Sequence, residues 1–406
     1  MIGNSLRLQN AFFNVLIGCS LVGASQTQAE DWFRYRGPDL NGISKEAAWL
    51  SKWPDAGPKQ LWKASVGIGF SSVTVSKGRV YTLGNQADTD TVYCFDAESG
   101  KVAWKYAYHS PLDPKYYEGG TSSTPTIDGD RVYTVSKSGD LICLDATKGS
   151  LVWSNNLAKE LKVEVPTWGF AGSALVEGKL LIVNAGSAGT AFDKETGKVV
   201  WTSGKTVSGY ATPQPFNAGN ERLIALFGAQ SLEVIKAADG KSVWKYPWKT
   251  EYDVNAAAPI MEGDQAFISS GYGHGATLIK VANNQPAKVW ENKSMKNHFN
   301  SSILWQGYLY GVDENQLSCL DWKTGAVKWS EKSIGKGSLM MADGKLIVLS
   351  EKGELIVATA SPTAFQVISR AQVLGGKCWT VPVLSNGHIY CRNAKGDLVC
   401  LDVTAP

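Results

Sequence analysis

The chain has 406 residues, 44% of them hydrophobic, with 42 Gly, 15 Trp, 15 Tyr and 12 Phe, so there is ample material for a large core. Charged residues make up only 19%, and 40 Lys+Arg against 37 Asp+Glu give a net +3, which excludes an acidic disordered chain and a nucleic-acid binder built on a basic stripe. Length alone allows two or three domains, yet all-β architectures reach this size as one unit, and the periodicity of the chain decides for one.

Residues 1–29 read as an export signal: a weakly positive start with Arg7, an apolar run from Ala11 to Ala24 broken at Asn14, then the polar stretch SQTQA. The run falls short of the roughly 20 residues that a membrane span needs. Two cleavage chemistries compete. Ala29 before Glu30 and Asp31 fits an ordinary signal-peptidase site, whereas Leu16-Ile17-Gly18-Cys19 has the form of a lipobox that would leave Cys19 as a lipidated first residue. The first is favoured, because the apolar stretch before Cys19 is short and interrupted. The mature chain is expected to be periplasmic or secreted, attached to a membrane only if Cys19 carries a lipid. Residues 30–59, with DWFRYRGPDLNGIS and two further proline-containing turns, read as an arm laid across the next domain.

From residue 60 to 406 one unit repeats. A strand ending in tryptophan follows a turn at Trp104, Trp153, Trp201, Trp244, Trp290 and Trp329, with spacings of 49, 48, 43, 46 and 39 residues. That period, with short alternating runs and turn dipeptides inside each unit, matches a propeller blade of four antiparallel strands. Hairpin turns such as VSKGRVYTL, IDGDRVYTV and LSNGHIYC, and the strands that lead into an Asp and glycine turn (YCFDAESG to VCLDVTAP), each number eight. The last copy lacks its tryptophan strand, while an unmatched one, KQLWKASVG around Trp62, precedes the first copy. The expected fold is therefore all-β: an eight-bladed β-propeller closed by pairing of that N-terminal strand into the last blade, which hides sheet edges. Blade seven is the weakest copy, with Phe365 and Gln366 where tryptophan is expected.

The repeated LDxxTGxxxW unit resembles the PQQ-type repeat of quinoprotein propellers. Over nearly all of the mature chain, the arm WFRYRGPDLNGIS and the segments PWKTEYDVNAAAP, SSGYGHGA, NHFNSS and GKCWTVPV are similar to the PQQ-binding-like β-propeller repeat proteins of bacterial envelopes. BamB, the outer-membrane assembly lipoprotein, is a more distant likeness. That resemblance implies the fold firmly and the function loosely. BamB-like proteins present a loop bearing leucine and arginine to their membrane partner; the corresponding TVSGYATPQPFNAGN has neither.

Seven cysteines in an exported chain invite a disulfide count, but Cys94, Cys143, Cys319 and Cys400 recur at one register position on separate blades, too far apart for the roughly 5.5–6 Å Cα spacing of a disulfide. They are expected to be free and buried. Cys378 and Cys391 share blade eight and could pair, although the hairpin at Asn386-Gly387 does not set them opposite each other. The blade tryptophans are expected to fill the wedges between twisted sheets.

Candidate functional residues cluster in the longer connections, which gather on one face of a propeller while the short glycine turns occupy the other. These loops hold His109, Tyr116, Tyr117, Trp168, Tyr210, Trp248, Tyr272, Phe299, Asp313, Glu314 and Lys336. The chosen set around the channel mouth is Tyr252, Asp253, Asn255, His274, His298, Asn300, Lys377, Trp379 and Arg392, as a surface for a protein, peptide or glycan. No catalytic residue and no metal ligand is assigned. HExxH, GxSxG, CxxCH and a vicinal cysteine pair are all absent from the sequence. The reading is thus a non-catalytic binding scaffold, monomeric, with no nucleic acid and no cofactor. The alternative is a quinoprotein-like oxidoreductase holding pyrroloquinoline quinone and Ca²⁺, with oxygens from Asp253, Asn255, Asp313 and Glu314 and Trp379 as platform.

Overall fold

Each copy of the repeat becomes one antiparallel sheet. The computed structural model describes residues 1–2 and 30–405, so the export signal and Cys19 lie outside the described residues. In blade one the strands Thr74–Ser76, Arg79–Gln86, Thr89–Asp96 and Val102–His109 pair in sequence order, from the channel outwards. Blades two to six repeat that order between Thr126 and Glu331. The eighth sheet is ordered Lys59–Ser65, Asp397–Asp402, His388–Arg392, Val383–Ser385, so the ring is closed by the N-terminal strand as expected. Trp62 there faces Cys400, in the register that sets Trp104 against Cys94, Trp153 against Cys143 and Trp329 against Cys319.

The repeat motif is a joint between blades. In the third blade the Asp193 carboxylate accepts from the Thr196 backbone N–H (2.8 Å) and hydroxyl (2.7 Å), shaping the turn. Gly197 then takes φ 70°, and a Cβ there would stand 2.6 Å from the Trp153 ring of the preceding blade. The same indole donates through Nε1 to the Lys194 carbonyl at 3.0 Å. Trp62, Trp104, Trp201 and Trp290 repeat the arrangement with Ala97, Ala146, Ala237 and Trp322. Asp, Gly and Trp are thus selected together: the acid holds the turn, the glycine leaves room for the neighbour's ring, and the ring buries the wedge.

Blade seven departs from the pattern, but not where the sequence placed the gap. Ser369, not Phe365 or Gln366, occupies the tryptophan position opposite Val357, and Phe365 packs instead on Trp329 at 5.6 Å. The vacancy is filled from the arm. Trp53 is buried in the core shared by blades seven, eight and one, and its backbone N–H donates to the Ser369 hydroxyl, which in turn donates to the Ser51 carbonyl.

The six described cysteines are free and buried, Cys378 and Cys391 included. Burial pushes the thiols of Cys143, Cys378 and Cys400 up to about 12, which keeps them protonated and unreactive.

The arm crosses one end of the channel. The Trp32 carbonyl accepts from Val75 of blade one and that of Phe33 from Ile127 of blade two. Arg36, fully buried, spans to the Ser301 and Ser302 carbonyls that lead into blade six. Ile43–Ser44 then adds in parallel to the inner strand Ser338–Ala342 of blade seven. Asp31 and Glu46 bind the hairpin turns at Lys77 and Gly387, fixing the arm on the face of short turns.

Candidate functional site

At the opposite end of the channel the long loops enclose a cup of about 310 Å³. Tyr35 of the arm also lines it, so the cavity is blind. Its lower wall is a girdle of small hydroxyl residues where each loop enters its inner strand. The Ser72 N–H donates to Thr124 Oγ1 (3.1 Å), the Thr124 N–H to Ser173 Oγ (2.8 Å) and the Ser173 N–H to Thr212 Oγ1 (3.0 Å), each bond joining one blade to the next. Blade five interrupts the hydroxyls with Ala258, whose own N–H donates to Ser301 Oγ of blade six at 2.8 Å.

Above it lies an unbroken arc of rings. Trp168 meets Tyr116 (5.8 Å) and Tyr117 (6.0 Å), and Tyr117 meets Phe70 (5.6 Å). Phe70 stacks on Trp379 (5.5 Å), which meets Phe299 (4.8 Å). Phe299 touches His298 (5.3 Å), His298 touches Tyr272 (4.4 Å), and Tyr272 touches Tyr252 (5.0 Å). The arc draws on blades one, two, three, five, six and eight, so no single repeat reveals it.

The lining holds Lys115 and Lys336 but no Asp or Glu. Lys377 sits at the rim, 4.3 Å from the Trp379 ring, with its charge paired to Glu118 at 2.9 Å. Trp379 Nε1 donates to Glu351 (3.0 Å). Burial, reinforced by the charge of Lys336, lowers the His298 imidazole to about 4, so it is neutral at neutral pH.

Of the nine residues chosen from sequence, His298, Asn300 and Trp379 line the cup, and Tyr252 and Lys377 join it through Tyr272 and Trp379. His274 lies away from it, edge-on to Trp248 at 4.6 Å. Asp253 does not line it either, and sits in a left-handed turn at φ 53°. Asn255 and Arg392 are corrections. Asn255 is 0% exposed and spends its amide N–H groups on the Gly228, Ala229 and Trp248 carbonyls while accepting from Ser270. Arg392 is 1% exposed and donates to Ser71, Thr82, Leu83 and Gly67 of blade one. Both are polar because a loop carbonyl inside a propeller needs a donor, and a sequence does not distinguish that need from ligand binding. Phe70 and Tyr35 were missed. The first follows a glycine-rich loop that suggests only flexibility, and the second lies in the arm, outside the repeats.

Among the described residues no three of His, Cys, Asp or Glu converge to hold a metal ion. Three of the oxygens that a Ca²⁺–quinone site would draw on are engaged elsewhere, Asn255 as above, Asp313 with Lys296 and Gln316, and Glu314 with the Gly273 N–H, while Asp253 Oδ1 is buried without a hydrogen-bond partner among the described residues but lies outside the cup lining. As arranged, these residues do not fit that group. A larger cavity of about 520 Å³ lies on the arm side, between the arm and blades four to six, but its Arg36 and Trp322 donors are satisfied by neighbouring protein groups.

Comparison with known proteins follows the repeat. The model of the family described as outer membrane protein assembly factor BamB matches residues 52–120 and 112–331. The chain belongs to this PQQ-like repeat family. It is 22% identical to the outer membrane protein assembly factor BamB of Yersinia pestis over 288 residues, 68% of this chain and 72% of that protein. It is 32% identical to the quinohemoprotein alcohol dehydrogenase ADH IIB of Pseudomonas putida, but over 124 residues, 27% of this chain and 17% of the enzyme. The crystal structure of BamB from Moraxella catarrhalis superposes with a TM-score of 0.60 at 16% identity, covering 86% of this chain and 98% of that one, a likeness of fold.

Proposed function

We propose that this chain is an exported, non-catalytic propeller scaffold of the bacterial cell envelope, periplasmic, which uses the cup at its channel mouth to bind a protein, peptide or glycan. The observation that carries the reading is the aromatic arc around a blind, acid-free cup, carried on loops held by a rigid ring. The family supports the envelope setting, because its BamB members are by name factors of outer membrane protein assembly.

The reading is tested by placing a photo-cross-linking side chain at Tyr116 or Tyr272 on the rim, and at Lys241 in an outer turn as control. A discrete adduct from the native envelope at the rim positions, absent at Lys241 and lost on Trp379→Leu in a folded protein, is the expected result. Identical patterns at rim and control would overturn it.

A further inference from the structure

The cup's chemistry narrows what it takes, and this inference rests on the binding role just proposed. Three features converge. The walls are ring faces and edges of Phe70, Phe299 and Trp379, so the inserted group is apolar and flat enough to lie against rings. Charge in the lining is of one sign: Lys336, 5.9 Å from the centre of the Trp379 ring, forms no ion pair among the described residues, and no carboxylate lines the cavity. In the same wall the Thr380 hydroxyl is buried and has no hydrogen-bond partner. A buried polar atom without a partner costs about 1–3 kcal/mol, which a ligand acceptor here would relieve.

Two further observations set how the ligand arrives. Tyr35 closes the far end, so a chain cannot thread the channel, and only an end fits. Beyond the cup, Tyr116 is 99% exposed and Tyr272 41% exposed, and both are held at left-handed φ, 61° and 54°. That conformation is rare for aromatic residues and tends to persist at clamps and binding loops. The recognition surface therefore continues outside the cavity, where a free small molecule would leave it unused.

We propose that the cup seats the carboxyl-terminal aromatic residue of a partner polypeptide, its ring against Phe70, Phe299 and Trp379, its terminal carboxylate on Lys336 and Thr380, and its preceding residues between Tyr116 and Tyr272. An amino terminus is disfavoured, since its ammonium would face the lysines.

The test is calorimetric titration of the purified full chain with a short synthetic peptide ending in phenylalanine. Its C-terminally amidated form, a form ending in alanine, and N-acetylphenylalanine are titrated alongside. The free-acid peptide is expected to bind, and amidation to weaken it about tenfold to a hundredfold, the worth of one hydrogen bond to a charged group. Lys336→Met should weaken the free-acid peptide by a similar factor and leave the amidated one unchanged; Phe299→Leu should weaken both. Unchanged thermal melting of each variant separates lost binding from lost fold. Equal affinity of free-acid and amidated peptides, or no binding of either, overturns the proposal. N-acetylphenylalanine binding as tightly as the peptide overturns the chain-end part and makes the cup a site for free aromatic acids. A rim adduct from the envelope together with failure of every peptide would leave the binding role standing and remove only this ligand class.

Discussion

Arg392 gives the sharpest test of how the ring is closed. Its guanidinium donates from blade eight to the Ser71 carbonyl at 2.7 Å, Thr82 Oγ1 at 3.0 Å, the Leu83 carbonyl and the Gly67 carbonyl at 3.1 Å, all in blade one or the loop before it. Hydrogen bonds to a charged group contribute about 1.5–3 kcal/mol each, so four represent roughly 6–12 kcal/mol before the opposing cost of burial. That cost is visible in the guanidinium, which burial lowers from 12.5 to about 9, equivalent to about 5 kcal/mol against the charged form. The remainder is about 1–7 kcal/mol, and the carbonyls left without a donor set the loss towards the middle of that range. Arg392→Met should therefore lower the urea-unfolding free energy by about that amount with an unchanged denaturant slope. Hydrogen exchange should quicken first in Lys59–Ser65 and His388–Arg392, the strands beside the seam. Affinity for any cup ligand should be unaffected in the folded fraction. A loss under about 1 kcal/mol, or a binding defect without a stability defect, would refute the structural role and return Arg392 to the ligand surface.

Trp53→Ala should cost about 3–5 kcal/mol, as for other buried tryptophans, and Ser369→Trp in that background should recover part of it in thermal unfolding, since Ser369 holds the blade's tryptophan position and bonds the Trp53 backbone. Gly197→Ala forces a Cβ against the Trp153 ring at a left-handed φ and should destabilise by more than about 1 kcal/mol, whereas Gly178→Ala, with open space around it, should cost less. His298 sits at about 4 in the fold against an ordinary 6.5, so the unfolded chain takes up its proton first on acidification. Stability should fall as pH drops from about 6.5 to about 4, and His298→Gln should remove up to about 3 kcal/mol of that fall in a pH series of urea melts.

The ring was legible because its physics is local and repeated. Asp, Gly and Trp at fixed spacing each answer one need of an inter-blade joint, and the eight hairpin turns make the count secure. The pairing of Trp62 with Cys400 followed from two complementary gaps at the chain's ends. The cup was only partly legible, since it is assembled from one or a few residues on each of the eight blades and one from the arm, which share no period. Trp379 and His298 stood out as large or titratable groups in loops. Asn255 and Arg392 stood out for the same reason and proved to be satisfying buried carbonyls. Phe70 and Tyr35 were silent, because their role depends on where the loop and the arm pass, which no spacing encodes. Blade seven's missing ring was noticed but misplaced by a few residues, since the connection from Val357 to Ser369 is two residues longer than the one from Cys94 to Trp104 or from Cys319 to Trp329.

The pairing of Lys59–Ser65 with Asp397–Asp402 has a consequence for how the chain acquires its shape. Six sheets are contiguous in sequence and can form in turn, the sheet of blade seven adds Ile43–Ser44 from the arm, and the eighth joins strands more than three hundred residues apart and must wait for the last of them. Until then the strand Lys59–Ser65 has no partner and the arm's contacts with blade eight, such as Glu46 with Gly387, are unmade. Folding of this propeller should end in one late, concerted step in which strand, arm and Trp53 dock together. Before that step the open ring exposes two sheet edges, a state in which joining to another chain competes with closing on itself.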